Sequence, residues 1–153
     1  MPVKTNTHNS NPKTVSCKLI NGELVVHVPK ATMQRDIEHA IDEFADENSS
    51  LIRDVTALDL KGHALVRFPR SVFRFPMLRI LELSNNNITH VPSSISELRH
   101  LRILGLSNNS ISQLPESVHK LDNLTVLDIS GNKITRLSSA LRGLEDMGML
   151  FRD

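Results

Sequence analysis

Residues 78–123 read LRILELSNNNITHVPSSISELRHLRILGLSNNSISQLPESVHKLDN, two successive stretches of 23 residues with the same apolar positions. The stretch before them, VTALDLKGHALVRFPRSVFRFPM (55–77), and the one after, LTVLDISGNKITRLSSALRGLED (124–146), keep that spacing. Leu58, Leu81, Leu104 and Leu127 mark equal steps, and Leu150 begins a fifth copy that stops after a few residues. A fixed period of this length signs a solenoid, in which each unit buries its apolar face only against its neighbours.

Within each copy the L-x-L segment alternates, so Leu81 and Leu83, Leu104 and Leu106, and Leu127 and Ile129 share one face of a short strand. Parallel stacking of these strands puts Leu58, Leu81, Leu104, Leu127 and Leu150 in one buried column, with Ile88, Ile111 and Ile134 behind it. Asn86, Asn109 and Asn132 fall where the chain turns out of each strand, and an amide side chain there can bond backbone groups on both sides of the turn. They are expected to form a structural ladder. Its first place is taken by His63, which can replace only some of those bonds. Pro69, Pro92 and Pro115 then fix an extended return path. After them Val72 and Phe75, Ile95 and Leu98, and Val118 and Leu121 lie three apart, as one face of a short helical turn requires. The fourth copy has Ser138 in place of the proline, which predicts a more regular helix over LSSALRGLEDM with Ser138 or Ser139 as N-cap.

The copies give L-x-x-L-x-L-x-x-N-x-I-x-x-L-P-x-x-I-x-x-L-x-x, which resembles the leucine-rich repeat family over residue 55 to about 150. More specifically it is similar to the 23-residue class with a Leu-Pro step found in cytosolic scaffold and Ras-pathway-associated proteins, plant intracellular repeat proteins and some bacterial effectors. The resemblance implies an α/β solenoid, a short arc with a parallel concave β-sheet. It does not imply a particular partner.

Upstream, SCKLINGELVVHVP (16–29) reads as a β-hairpin, because two β-prone runs flank Asn21-Gly22, a pair suited to a type I′ turn. ATMQRDIEHAIDEFADEN (31–48) follows as an amphipathic helix, with Thr32 as N-cap and Met33, Ile37, Ile41 and Phe44 on one face. Its acidic residues Asp36, Glu38, Asp42, Glu43, Asp46 and Glu47 are expected on a solvated outer face over an apolar cap for the first repeat. The organisation is therefore 1–14 as a disordered tail, 15–54 as hairpin and capping helix, and 55–153 as four full repeats and one partial one.

At the far end MGMLFRD starts a fifth strand, and no capping helix is evident for the apolar interior left by Leu141, Leu144 and Leu150. Three explanations stand: Arg152 closes the stack with its aliphatic stem, a partner or second copy docks there as a homodimer, or further repeats are missing.

Outward-facing strand positions define the concave surface, on which solenoids commonly bind. One column reads Ala57, Ile80, Ile103, Val126, Met149, the next Asp59, Glu82, Gly105, Asp128, Phe151, and a third Lys61, Ser84, Ser107, Ser130, Asp153. Arg79 and Arg102 form one border. An apolar stripe edged by acids, with a hollow at Gly105 and bulky Met149 and Phe151 at one end, suits a partner's aliphatic or aromatic anchor with basic groups beside it. The same columns are also ordinary repeat chemistry. Five strands span only about 19 Å, short of the roughly 800 Å² each side of a standard interface buries. The loops at Asn85, Asn108 and Gly131 would have to join. On the opposite border, Arg67, His90, Gln113 and Arg136 add basic character or are a solvated ridge.

Catalysis is not expected. The 7 histidines are scattered, no phosphate loop occurs, and neither a nucleophile with its base nor a metal-ligand cluster is visible. No cofactor or metal is expected. Cys17, the only cysteine, reads as an inert thiol and allows no internal disulfide. A net charge of +1 gives little basis for nucleic-acid binding. The Arg67, Arg70, Arg74, Arg79 run holds Phe68 and Phe75, but both occupy core positions and cannot stack on bases. No apolar run approaches the roughly 18 residues of a membrane span, and the first residues lack a secretory signal. These features favour a cytoplasmic protein-protein interaction module, acting as adaptor or stoichiometric inhibitor through its concave face. A bacterial effector delivered to a host cytosol leaves the same pattern. The alternative is an effector or scaffold fragment whose site is the N-terminal cap or the C-terminal end.

Overall fold

A computed structural model describes residues 16–27, 32–146 and 148–152, so the expected tail at 1–14 lies outside the described residues. Seven strands form one sheet in chain order: β1 (Ser16–Ile20), β2 (Glu23–His27), β3 (Ala57–Asp59), β4 (Ile80–Glu82), β5 (Ile103–Gly105), β6 (Val126–Asp128) and β7 (Leu150–Phe151). β1 and β2 are antiparallel, and every later pair is parallel. The turn between β1 and β2 uses Asn21 and Gly22 at φ +50° and +85°, the left-handed pair that this hairpin needs.

The register aligns Leu58, Leu81, Leu104, Leu127 and Leu150, as the period requires. It also adds Leu24 of β2 at the head of the column. The hairpin is therefore the start of the sheet rather than a separate lid, and its Leu24 is fully buried like the repeat leucines. Sequence spacing hides this, because a helix is inserted between Leu24 and Leu58 and breaks the period.

That helix, α1 (Gln34–Glu47), buries Ile37, Ala40, Ile41, Phe44 and Ala45 against the first repeat. It begins later than the sequence suggests. Met33, not Thr32, holds the N-cap position, with extended backbone and no side-chain cap bond. Met33 is also 58% exposed and leaves the buried face to which its spacing assigned it. The reason lies in Gln34, whose side chain turns to the repeat: its Oε1 accepts the N–H groups of Val66 and Arg67, and its Nε2 donates to the Arg67 carbonyl. Glu38 accepts the Arg70 N–H, and Asp42 and Asp46 meet Arg74. One acidic row of α1 thus reaches the first repeat while remaining partly exposed, Asp46 most of all. Burial raises the Asp42 carboxyl above its ordinary range, against the opposing pull of Arg74.

Each proline step leads into a 3-10 helix: Arg70–Arg74, Ser93–Glu97 and Glu116–Lys120. Pro69, Pro92 and Pro115 hold the N-cap positions with extended backbone. Val72 and Phe75, Ile95 and Leu98, and Val118 and Leu121 are buried as expected. Where Ser138 replaces proline the chain forms α2 (Ser139–Asp146), the regular helix the sequence predicts. The expected hydroxyl cap does not form: Ser138 offers its backbone carbonyl to the N–H groups of Leu141 and Arg142, while its Oγ is buried without a hydrogen-bond partner, and Ser139 is already helical.

Leu141, Leu144 and Leu150 are all buried, contrary to the expectation of an uncovered interior. The Met149 N–H bonds the Leu144 carbonyl at 2.9 Å and brings β7 tightly back beside α2. Arg152 lies outside that core with its Nε donating to Glu145 Oε1 at 2.7 Å.

Candidate binding face

The turns out of the strands fix how the concave face is presented. Asn109 Oδ1 accepts the Ile88 N–H, and its Nδ2 donates to the carbonyls of Leu83 in the preceding copy and Leu106 in its own. Asn86 and Asn132 repeat the pattern: Asn86 binds Leu65, Leu60 and Leu83, and Asn132 binds Ile111, Leu106 and Ile129. The ladder is therefore a set of clamps between consecutive copies. His63 is not such a clamp. Its ring meets only the Lys61 carbonyl of its own turn, and its N–H is taken by Asn86. Beside the clamps a second row, Gly62, Asn85, Asn108 and Gly131, adopts φ between +53° and +70°, the left-handed region that Gly and Asn tolerate. Asn108 Nδ2 donates to Asn85 Oδ1 at 3.0 Å, linking two of these loops.

The sheet gathers the outward-facing residues as the columns require. Ala57, Ile80, Ile103 and Val126 lie side by side, as do Asp59, Glu82, Gly105, Asp128 and Phe151. Met149 is half-buried just before β7. Arg79 and Arg102 follow one another at the border, where the Arg102 N–H bonds the Arg79 carbonyl at 2.8 Å, and both side chains are exposed. Sequence reasoning missed the hairpin's share of this face. Glu23 and Val25 extend the two columns, and Ile20 and Lys18 stand directly opposite them on β1. Seven strands span about 29 Å, half as long again as the repeats alone. Exposed apolar groups occur along it: Ile20 at 40%, Val25 at 39%, Ile80 at 37% and Phe151 at 53%.

The hollow expected at Gly105 is not there. A Cβ at this position would collide with both carboxylate oxygens of Glu82, so the Glu82 side chain lies across the glycine and fills the space. A charged group can be accommodated because Ser84 Oγ donates to Glu82 Oε2 at 3.2 Å, and Ser107 Oγ donates onward to Ser84 Oγ at 3.0 Å. Burial nevertheless raises the Glu82 carboxyl above its ordinary value, with nearby Asp59 and Asp128 pushing the same way and Ser84 and Lys61 opposing. In the next copy Ser130 Oγ donates to Asp128 Oδ1 at 2.6 Å. The face is thus an apolar column beside a hydrogen-bonded acid and serine band.

Among the described residues, no group of three His, Cys, Asp or Glu is placed to hold a metal ion, and no helix is long and apolar enough to cross a membrane. The Cys17 thiol is buried, which with nearby Glu43 pushes it up to about 12, so it stays protonated near neutrality.

A family model for a leucine-rich repeat region matches residues 52–153. No curated protein sequence matches the chain. Among solved structures, a leucine-rich repeat protein of Leptospira interrogans is similar at 28% identity over 69% of this chain and 26% of that one, with a TM-score of 0.57. An internalin of Listeria monocytogenes is similar in fold, at 22% identity over 71% of this chain and 33% of that one, also with a TM-score of 0.57. The chain spans about a quarter to a third of the length of these structures.

Proposed function

We propose that this chain, which belongs to the leucine-rich repeat family, holds a protein partner on its concave sheet and catalyses no reaction of its own. Members of this family and fold are typically non-catalytic interaction modules. The observation that carries the concave assignment is the continuity of one exposed face from β1 to β7, with Ile20, Val25, Ile80 and Phe151 open along it. Apolar side chains along this face offer anchor contacts, and the acidic groups among them favour basic groups on the partner. About 29 Å by one short strand width remains below the roughly 800 Å² of a standard interface. The partner must therefore also touch the loops at Asn85 and Asn108 or the Arg79 and Arg102 border.

The role is that of an adaptor or a stoichiometric inhibitor, distinguished by whether the bound partner keeps its activity. A reducing compartment such as the cytosol suits a chain whose one cysteine is buried and unpaired. The test is capture from native lysate with the wild type and with Ile80→Glu/Ile103→Glu, whose circular dichroism and melting should match. Partners lost only in the variant support the reading, and an unchanged set refutes the concave assignment.

A further inference from the structure

A cleft of about 590 Å³ lies away from the concave sheet, on the flank where α1 meets the first two repeats. Its volume is within the range of small-ligand sites, about 300–1,000 Å³. Arg67, Phe68 and Arg70 of the first repeat line it together with Thr89, His90 and Pro92 of the second. We propose that this cleft binds a phosphate monoester, with the phosphoryl group at Arg67, Arg70, Thr89 and His90 and its organic body over Pro92 and the small part of Phe68 left open.

Both arginines are exposed, and neither makes an ion pair among the described residues, whereas Arg35, Arg74 and Arg152 do. Their backbones are held in place from α1: Gln34 takes the Arg67 N–H and carbonyl, and Glu38 Oε2 accepts the Arg70 N–H at 3.0 Å. The two cations therefore project from a segment already ordered before any ligand arrives, which lowers the entropy lost on binding. In the next copy His90 Nδ1 and Thr89 Oγ1 lie 2.9 Å apart, so an imidazole and a hydroxyl lie together in the lining. Phe68 is itself fixed by stacking on Phe73, with ring centroids 6.0 Å apart.

Two guanidinium forks with a hydroxyl and an imidazole offer more donors than one carboxylate can accept, and suit a doubly charged tetrahedral oxyanion. The one carboxylate in the lining, Glu38, has its oxygens turned to Gln34 Nε2 and the Arg70 N–H. The cleft of about 420 Å³ that includes Gln113, Glu116 and Arg136 lacks an arginine pair.

The test is a titration of the ¹⁵N-labelled chain with phenyl phosphate, with benzoate as a singly charged control and a short phosphoserine peptide as a second arm. Saturable shifts should appear at the Arg67, Arg70, Thr89 and His90 amides, with benzoate at least tenfold weaker. Arg67→Gln/Arg70→Gln should weaken phenyl phosphate at least tenfold at an unchanged unfolding midpoint, since the docking bonds use backbone groups. Tighter binding of the peptide identifies a protein-borne phosphate as the source, and equal or weaker binding a free ester. Absence of saturation, equal shifts at exposed Arg79 and Arg102, or no effect of the double substitution overturns the proposal.

Discussion

The carboxylate of Glu82 occupies the space that a side chain at position 105 would need, one strand away. The absence of a Cβ at Gly105 therefore gives an acid a partly buried berth on the concave face, where sequence alone suggested an empty hollow. Because Glu82 reaches the berth through a flexible side chain, Gly105→Ala should displace it without unfolding the array. We expect Gly105→Ala to destabilise the wild type by about 1 kcal/mol and to be near neutral in a Glu82→Ala background, the positions being coupled by about 0.5–1 kcal/mol. Denaturant midpoints across the double-mutant cycle measure this. Additive effects would mean that the two side chains do not compete for space.

Burial gives Glu82 a pH signature. In the unfolded chain it titrates near the ordinary value of about 4.3, and in the folded protein its value is raised. Between those two values the folded state keeps a proton that the unfolded chain has released, so this residue's contribution to stability falls as pH rises through the window. Glu82→Gln keeps an acceptor for Ser84 and removes the charge. It should raise stability by about 0.5 kcal/mol at neutral pH and gain nothing below the unfolded value. Urea midpoints at a series of pH values decide it, and a gain independent of pH would point to packing rather than titration.

Asn109 joins two copies through Ile88, Leu83 and Leu106. Asn109→Ala strands the buried Ile88 N–H and takes one of two amide donors from each of the Leu83 and Leu106 carbonyls, which Asn86 and Asn132 still reach, and the expected loss is about 1–3 kcal/mol. His63→Ala, which breaks only a side-chain contact within its own turn, should lose less than about 1 kcal/mol. Thermal and urea unfolding of the pair compare a clamp with its irregular counterpart.

Leu24 belongs to the same column as Leu127 and is as fully buried. Leu24→Ala and Leu127→Ala should each lower stability by about 2–5 kcal/mol, as large-to-small changes in a core do. Both should leave a single cooperative transition. A hairpin that melted separately in Leu24→Ala, leaving the repeat transition in place, would show that β1 and β2 are an appendage.

The sequence by itself determined what the 23-residue period repeats. The leucine column, the asparagine clamps at 86, 109 and 132 and the 3-10 turns after Pro69, Pro92 and Pro115 follow, because each role recurs at a fixed offset and neighbouring copies must satisfy one another, and the helix after Ser138 follows from the one copy that lacks the proline. The Asn21-Gly22 hairpin was legible for a local reason, since few residue pairs tolerate two left-handed conformations in succession. Only the tertiary structure decided what contacts between unlike segments decide. Strand β2 joined the sheet across an inserted helix, which made the concave face seven strands long and brought Val25 and Ile20 onto it. Gln34 and the acidic row of α1 turned toward the turn at 66–70, so α1 starts after Met33 and its charges serve docking. Glu82 folded over Gly105, and Leu141, Leu144 and Leu150 closed on one another. None of these contacts repeats along the chain. Their free energies come from packing and desolvation at one place only, and a periodic pattern carries no record of them.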